Sequence, residues 1–150
     1  VKDVAAGVAK NGRPFTHLLA SRRLREVFNT TGTLFSATLK RRPYNPAFLH
    51  PDDMIALQLL AEDTVEISSA HGQVTARVQP DANLRRGVVQ LPHGWGGHPG
   101  TSEGTGTSVN LLTSSHVDYE PINAMPVMSA LPVNIVRHME YSASDARSAR

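Results

Sequence analysis

From Thr64 to Gln79 the chain alternates apolar and polar residues in two runs, Thr64-Val65-Glu66-Ile67-Ser68-Ser69 and Gln73-Val74-Thr75-Ala76-Arg77-Val78-Gln79. A repeat of two places alternate side chains on opposite faces of a pleated strand, so each run is predicted to be half-buried β structure. Ala70-His71-Gly72 joins them, which predicts a β-hairpin with Gly72 where the backbone wants positive φ. Other strand-length apolar runs are Phe15 to Ser21, Val88-Val89-Gln90-Leu91 ahead of Pro92, and Val133 to Arg137. One short helix is expected from Pro51, a favoured first helical residue, with Asp52 and Asp53 complementing its dipole. Met54, Ile55, Leu57, Leu59 and Leu60 give it more than one apolar face, which predicts that it is largely buried. The chain is therefore expected to be mainly β.

A chain of 150 residues is one ordinary domain, long enough to remove roughly 70% of its unfolded surface from water. It has no cysteine, which excludes disulfides, thiolate metal sites and iron–sulfur clusters of its own. No apolar run reaches the length of a membrane helix, and Val1 to Lys10 is too short and mixed for a signal peptide. A first residue of Val rather than Met suggests a fragment or a processed start. Residues 1–42 carry nine Lys or Arg against two acids, net +7, within a chain of net charge only +2. So cationic a first third implies an anionic partner such as phosphate, nucleic acid or an acidic protein face, or else simple solvation. Residues 1–14 read as a loose lead-in, 15–138 as the domain, and 139–150 as a frayed tail. Gly97 to Ser108 lacks large apolar residues and reads as a mobile excursion.

Two stretches carry candidate chemistry. Gly87-Val88-Val89-Gln90-Leu91-Pro92-His93-Gly94-Trp95-Gly96-Gly97 is a strand that delivers an imidazole and an indole into a glycine loop. Either it walls a ligand site, with backbone N–H groups free to approach a flat or anionic ligand, or Trp95 covers the edge of the core. Ser21-Arg22-Arg23 ends the first strand with a hydroxyl and two guanidinium forks, which suits phosphate oxygens or forms a solvated turn. Other signals are weak. Gly100-Thr101-Ser102-Glu103-Gly104 matches a nucleophile elbow but has flexible flanks instead of the strand and helix that such a serine requires. His93 and His98 share a loop without zinc-ligand spacing, Asn29-Thr30-Thr31 is a formal glycosylation sequon, and no phosphate-binding loop or complete dinucleotide fingerprint is present.

Taken in order, several short motifs resemble the molybdopterin-dinucleotide-binding domain found at the C-terminus of the molybdenum and tungsten oxidoreductases, the superfamily of dimethyl sulfoxide reductase, formate dehydrogenase and nitrate reductase. They are Leu18-Leu19-Ala20-Ser21-Arg22-Arg23 with Asn29, Asn45-Pro46, His50-Pro51-Asp52-Asp53, and Asp63-Thr64-Val65-Glu66-Ile67-Ser68-Ser69 with Gly72. They continue through Gly87-Val88-Val89, His93-Gly94-Trp95, Asn110-Leu111-Leu112-Thr113 and Pro132-Val133, so that the likeness runs from about residue 15 to 137. The resemblance implies a double-psi β-barrel of six strands with short helices, the aspartate-decarboxylase-like fold. It implies molybdopterin guanine dinucleotide, with molybdenum or tungsten, as the cofactor. Ser21, Arg22 and Arg23 would lie near pterin or phosphate, and Asn45, His50 and Asp53 would line the nucleotide end or brace its loop. His93, Gly94, Trp95 and Asn110 would face the pterin. Gln58 and Glu62 stand where glycine is common, which predicts an altered helix-to-strand turn, and Asn123-Ala124 lacks the glycine often found before Pro126, so no cofactor contact is assigned there.

On this reading the chain is a cofactor-binding part of a larger oxidoreductase and not catalytic alone. The metal ligand and any iron–sulfur cluster would lie in other domains of the parent, its expected partners. A cytoplasmic location is expected, with no membrane and no nucleic acid among the partners. The competing readings are a free-standing small subunit of a molybdenum or tungsten complex, and a double-psi barrel that binds protein or nucleic acid.

Overall fold

The computed structural model describes residues 7–96 and 106–138. Six strands close into a barrel: β1 (His17–Arg22), β2 (Ala47–Leu49), β3 (Thr64–Ser68), β4 (Gln73–Pro80), β5 (Val88–Pro92) and β6 (Ser129–Arg137). Around the barrel the order is β1-β5-β2-β4-β3-β6. The pairs β1·β5 and β2·β4 are parallel, and β1·β6, β2·β5, β3·β4 and β3·β6 are antiparallel. Exchanging β1 with β4, β2 with β5 and β3 with β6 maps each pairing onto one of the same sense. The barrel is thus two interlocked halves, with β5 lying between β1 and β2 and β2 lying between β4 and β5. This is the double-psi arrangement.

Alternation along the strands builds the core. Leu19, Leu49, Val65, Ile67, Val78, Val89, Leu91 and Val133 are fully buried, each contributing about 1.5–3 kcal/mol by leaving water. The hairpin forms as its pattern predicts, with Glu66 opposite Thr75 and Ile67 opposite Val74. Gly72 is required for a different reason than turn geometry, since its φ is not positive. A Cβ there would overlap the Leu111 carbonyl oxygen, so the glycine lets the 3₁₀ helix Val109–Leu112 lie against the hairpin.

Helix α2 (Pro51–Ala56) starts at Pro51, but it presents only one apolar face to the core. Met54 and Leu59 are buried, whereas Ile55 and Leu60 are 74% and 71% exposed. Six helical residues are too few to be wrapped on all sides. Helix α1 (Ser36–Arg41) has no clear apolar period and was not expected. Residues 7–14 pack on the barrel where a loose lead-in was expected. Ala9 is buried, Lys10 N–H bonds to the Ser69 carbonyl (2.7 Å), and the Asn11 amide bonds to Glu66 (2.9 Å). Strand β6 begins four residues earlier than Val133. The elbow sequence 100–104, His98 and the tail from 139 lie outside the described residues.

The turns around the non-glycine positions keep the backbone of glycine. Gln58 (φ +56°), Glu62 (φ +72°) and Ala124 (φ +57°) are all left-handed. The predicted change of turn shape is therefore absent, and the chain bears the cost of a Cβ in the left-handed region, roughly 1–2 kcal/mol per residue. Gln58→Gly and Ala124→Gly should each raise stability, by about 0.5–1 kcal/mol after glycine's larger unfolded-state entropy is deducted. Urea unfolding of the two variants checks this, and a lower midpoint for both would contradict it.

Candidate functional site

Strand direction sorts every loop onto one of two rims. The parallel strands β1 and β5 finish at the same rim, and β2, β4 and β6 start there. The connections β1–β2 (23–46), β3–β4 (69–72) and β5–β6 (93–128) all lie on this first rim. Helix α2 and the β4–β5 turn lie on the opposite one. Ser21, Arg22, Arg23, Asn45, His93, Gly94, Trp95 and Asn110 thus gather at the first rim. His50 and Asp53 stand at the other.

At the first rim Ser21 pairs with Leu91 and Arg22 with Pro92, so Arg23 and His93 leave adjacent strands side by side. His93 is a tie between loops. Its backbone N–H donates to the Arg22 carbonyl (3.2 Å), which also lies 3.0 Å from Nδ1. Ser21 Oγ is 3.3 Å from the same nitrogen, and Nε2 is 3.1 Å from the Asn29 side chain. A carbonyl only accepts, which places the ring proton on Nδ1; Nε2 then accepts when the Asn29 amide turns its nitrogen inward. Gly94 (φ +84°) completes the contact, because a Cβ would overlap the Asn29 carbonyl oxygen.

Asn45 is buried, and its amide is consumed within the protein. Nδ2 donates to the Pro92 (2.7 Å) and Thr107 (2.9 Å) carbonyls while Oδ1 accepts the Thr107 N–H (2.8 Å). It holds the chain on the far side of the 97–105 segment to the end of β5. Arg22 is likewise occupied. Its guanidinium crosses the outside of the barrel over Phe48 (4.2 Å) to Gln90 (3.3 Å) and Asp81 (2.8 Å). That hydrogen bond holds the Asp81 carboxyl below the usual carboxylate range. Arg23, by contrast, is exposed and has no carboxylate partner among the described residues.

Trp95 is only 2% exposed, so neither face is open for stacking. Its indole N–H is buried without an acceptor among the described residues, an uncommon state that costs about 1–3 kcal/mol. Asn110 is exposed on the 3₁₀ helix and walls a hollow of about 420 Å³ with Thr113, Ser115, Pro126 and Met128. The Met128 carbonyl accepts the Ser21 N–H (3.3 Å), which joins this hollow to the end of β1.

At the opposite rim the residues brace. His50 is the N-cap of α2, its Nδ1 accepting from Asp52 N–H (3.1 Å). Asp53 is buried and accepts the Gly87 N–H (2.6 Å), with Arg86 Nε at 3.5 Å and His17 Nε2 at 3.9 Å. Capping alone had been reason enough for this aspartate in the sequence; the bond to Gly87 gives it a tertiary one.

Sequence reasoning gave no role to Asp81, Gln90, Phe48 or Thr107, which lie 26 to 68 residues from the partners they hold and fit no local pattern. Among the described residues no three His, Asp or Glu side chains come together where they could hold a metal ion, and no helix is long and apolar enough to cross a membrane.

The family described as "Molydopterin dinucleotide binding domain" matches residues 17–129, from the start of β1 to the start of β6. The chain belongs to the molybdopterin dinucleotide binding domain family. A solved structure similar to it is acetylene hydratase from Pelobacter acetylenicus, with a TM-score of 0.72 and 19% identity over 83% of this chain. The matched part is 18% of that longer chain, and at this identity the likeness is one of fold. No curated protein matches.

The buried histidine of this family member gives a pH test. Burial lowers the His17 pKa below its ordinary 6.5, against the opposing pull of Asp53. Neutral imidazole is thus favoured in the fold, and the unfolded chain binds the extra proton first. Stability should be complete above about pH 6.5 and decline as pH falls from there toward the folded-state value. His17→Gln should flatten that part of the curve of unfolding midpoint against pH; an unchanged slope would assign it elsewhere.

Proposed function

We propose that this domain holds molybdopterin guanine dinucleotide at its first rim, as the C-terminal cofactor domain of a larger molybdenum or tungsten oxidoreductase of the formate dehydrogenase or nitrate reductase kind. The observation that carries the reading is the parallel pairing of β1 with β5 inside the family-matched span. It brings Ser21-Arg22-Arg23 and His93-Gly94-Trp95 to one rim, beside the hollow walled by Asn110.

The residues present fit such a group. A dinucleotide of this type has anionic phosphates, ring edges rich in acceptors, and amide groups. The rim offers an exposed guanidinium at Arg23, the two-way amide of Asn110, and a buried indole N–H at Trp95 that lacks an acceptor among the described residues. Arg22 fixes the rim by its ion pair with Asp81, and His93 and Asn45 hold the loops that a ligand would press against. When bound, the cofactor supplies the metal-centred redox chemistry, and the domain supplies orientation and electrostatics. Asn110 would read a ring edge, Arg23 would meet phosphate, and Trp95 would donate to an acceptor delivered by the ligand. His50 and Asp53 would act from the opposite rim by keeping Gly87 and the entry to β5 in place.

Trp95→Phe separates the indole N–H from the bulk of the ring. In the full-length protein it should leave thermal stability nearly unchanged, and Trp95→Phe and Asn110→Ala should each lower the cofactor retained by about tenfold, the loss expected for roughly 1.4 kcal/mol. The readout is the pterin fluorescence and guanine released on denaturation. Wild-type protein without either compound would sink the reading.

A further inference from the structure

The β1–β2 excursion carries a surface that the barrel does not use. Thr33 is buried and anchors it locally through Oγ1 to the Thr30 carbonyl (2.8 Å). His93 and Gly94 clamp it at Asn29. On this fixed platform Phe28, Leu34 and Phe35 are 69%, 49% and 66% exposed. Arg23, Arg25, Lys40 and Arg41 are exposed around them, and none has a carboxylate within 4.0 Å among the described residues. The neighbouring acid, Glu26, is turned to Arg42 at 3.9 Å.

Exposed cations are ordinary, and so is one exposed phenylalanine. Three apolar side chains on a clamped loop, among four cations that lack a carboxylate partner among the described residues, are unusual even with Arg23 lying over the Phe28 ring at 6.0 Å, since apolar groups presented together mark an interaction surface. We propose that residues 23–41 dock an acidic protein face, with apolar side chains at its centre, that belongs to the remainder of the same longer polypeptide. The inference rests on the reading that this domain is one part of a larger chain.

Charge complementarity selects the partner's sign, and the apolar residues select its class. Phosphate backbones would meet the cations but leave Phe28, Leu34 and Phe35 without apolar cover. Position narrows it further. Asn29, one residue from Phe28, touches His93, so whatever covers this surface also borders the first rim. A domain of the same chain meets both demands, shielding the rim from water while contributing carboxylates to Arg25, Lys40 and Arg41 and leaving Arg23 to the rim.

Zero-length carbodiimide coupling of the native full-length protein tests this, because Lys40 is the one amine on the surface. Coupling joins it only to a carboxylate in direct contact. Mass spectrometry is expected to find Lys40 joined to Asp or Glu of the same polypeptide outside this sequence of 150 residues. Lys40 should also be several-fold slower to acetylate than Lys10, which is exposed and whose backbone is bonded to Ser69 at the end of β3, away from residues 23–41 in sequence. Coupling only within these residues, coupling to another polypeptide or to a second copy, or acetylation as fast as at Lys10 would each overturn the proposal. So would flotation of the protein with vesicles of anionic lipid that protects Lys40. Cofactor content measured on the same sample separates the two readings: protein without pterin but with Lys40 coupled as expected would leave the docking surface standing and remove the cofactor assignment.

Discussion

The parallel pairing of β1 with β5 is the constraint on which the molecule depends. Leu18 lies opposite Val88 and Arg22 opposite Pro92, a ladder between segments about 70 residues apart in sequence. Parallel strands cannot be joined by a tight turn, so the intervening chain must travel around the barrel before returning. That journey forms β2, β3 and β4, and β2 is inserted beside β5 on the other side. Two strands that finish together leave two loops starting together, which is why a serine and two arginines meet a histidine and a tryptophan. A barrel made of hairpins alone would also end both strands at one rim, but with β6 between them, so these residues would not leave neighbouring strands.

A closed barrel with short strands needs help where its long loops depart, and buried polar side chains provide it. Asn45 spends both amide hydrogens and its oxygen on the backbone of Pro92 and Thr107, replacing the ladder that Pro92 cannot extend. Asp53 performs the related task at the opposite rim by accepting from Gly87. In both cases a lost partner would leave a buried peptide group without a hydrogen bond, at a cost of about 1–3 kcal/mol. The positions therefore constrain the residue type as strongly as a ligand would. This is also why their roles are hard to separate in a sequence: an asparagine that reads a base edge and one that reads two carbonyls carry the same letter.

What was legible followed from local pattern. Period-two alternation located β3 and β4, Pro51 marked the start of α2, and the ordered motifs named the barrel before any pairing was known. What was not legible depended on contacts between distant segments. Gly72 serves the approach of Leu111, nearly forty residues away, and the residues from Gly7 to Pro14 are tied down by β3, Ser69 and β6 beside their own turn. Trp95 beside glycines left two readings open, a ring facing a ligand or a cover for the edge of the core, and the glycines allow the chain to fold over it: Gly96 lets Thr107 and Ser108 come close enough that a Cβ would crowd them. Looseness in the sequence became closeness in the fold.

The charge asymmetry of the sequence is resolved in the same way. Arg22 and Arg42 are turned to Asp81 and Glu26, so part of the excess of cations in the first third is structural. Glu62 shows the converse. It is held at φ +72° while its carboxylate takes the Tyr44 hydroxyl and the Gln79 amide, with Arg77 Nη1 at 3.7 Å. Burial, followed by that bond to Glu62, raises the Tyr44 phenol above its ordinary value and keeps it a donor. A glycine in place of Glu62 would relieve the backbone and release Tyr44, Gln79 and Arg77 together. The strain and the network are one arrangement: the left-handed residue is tolerated because its side chain ties the start of β2 to the β3–β4 hairpin on the outside of the barrel, where no core residue can.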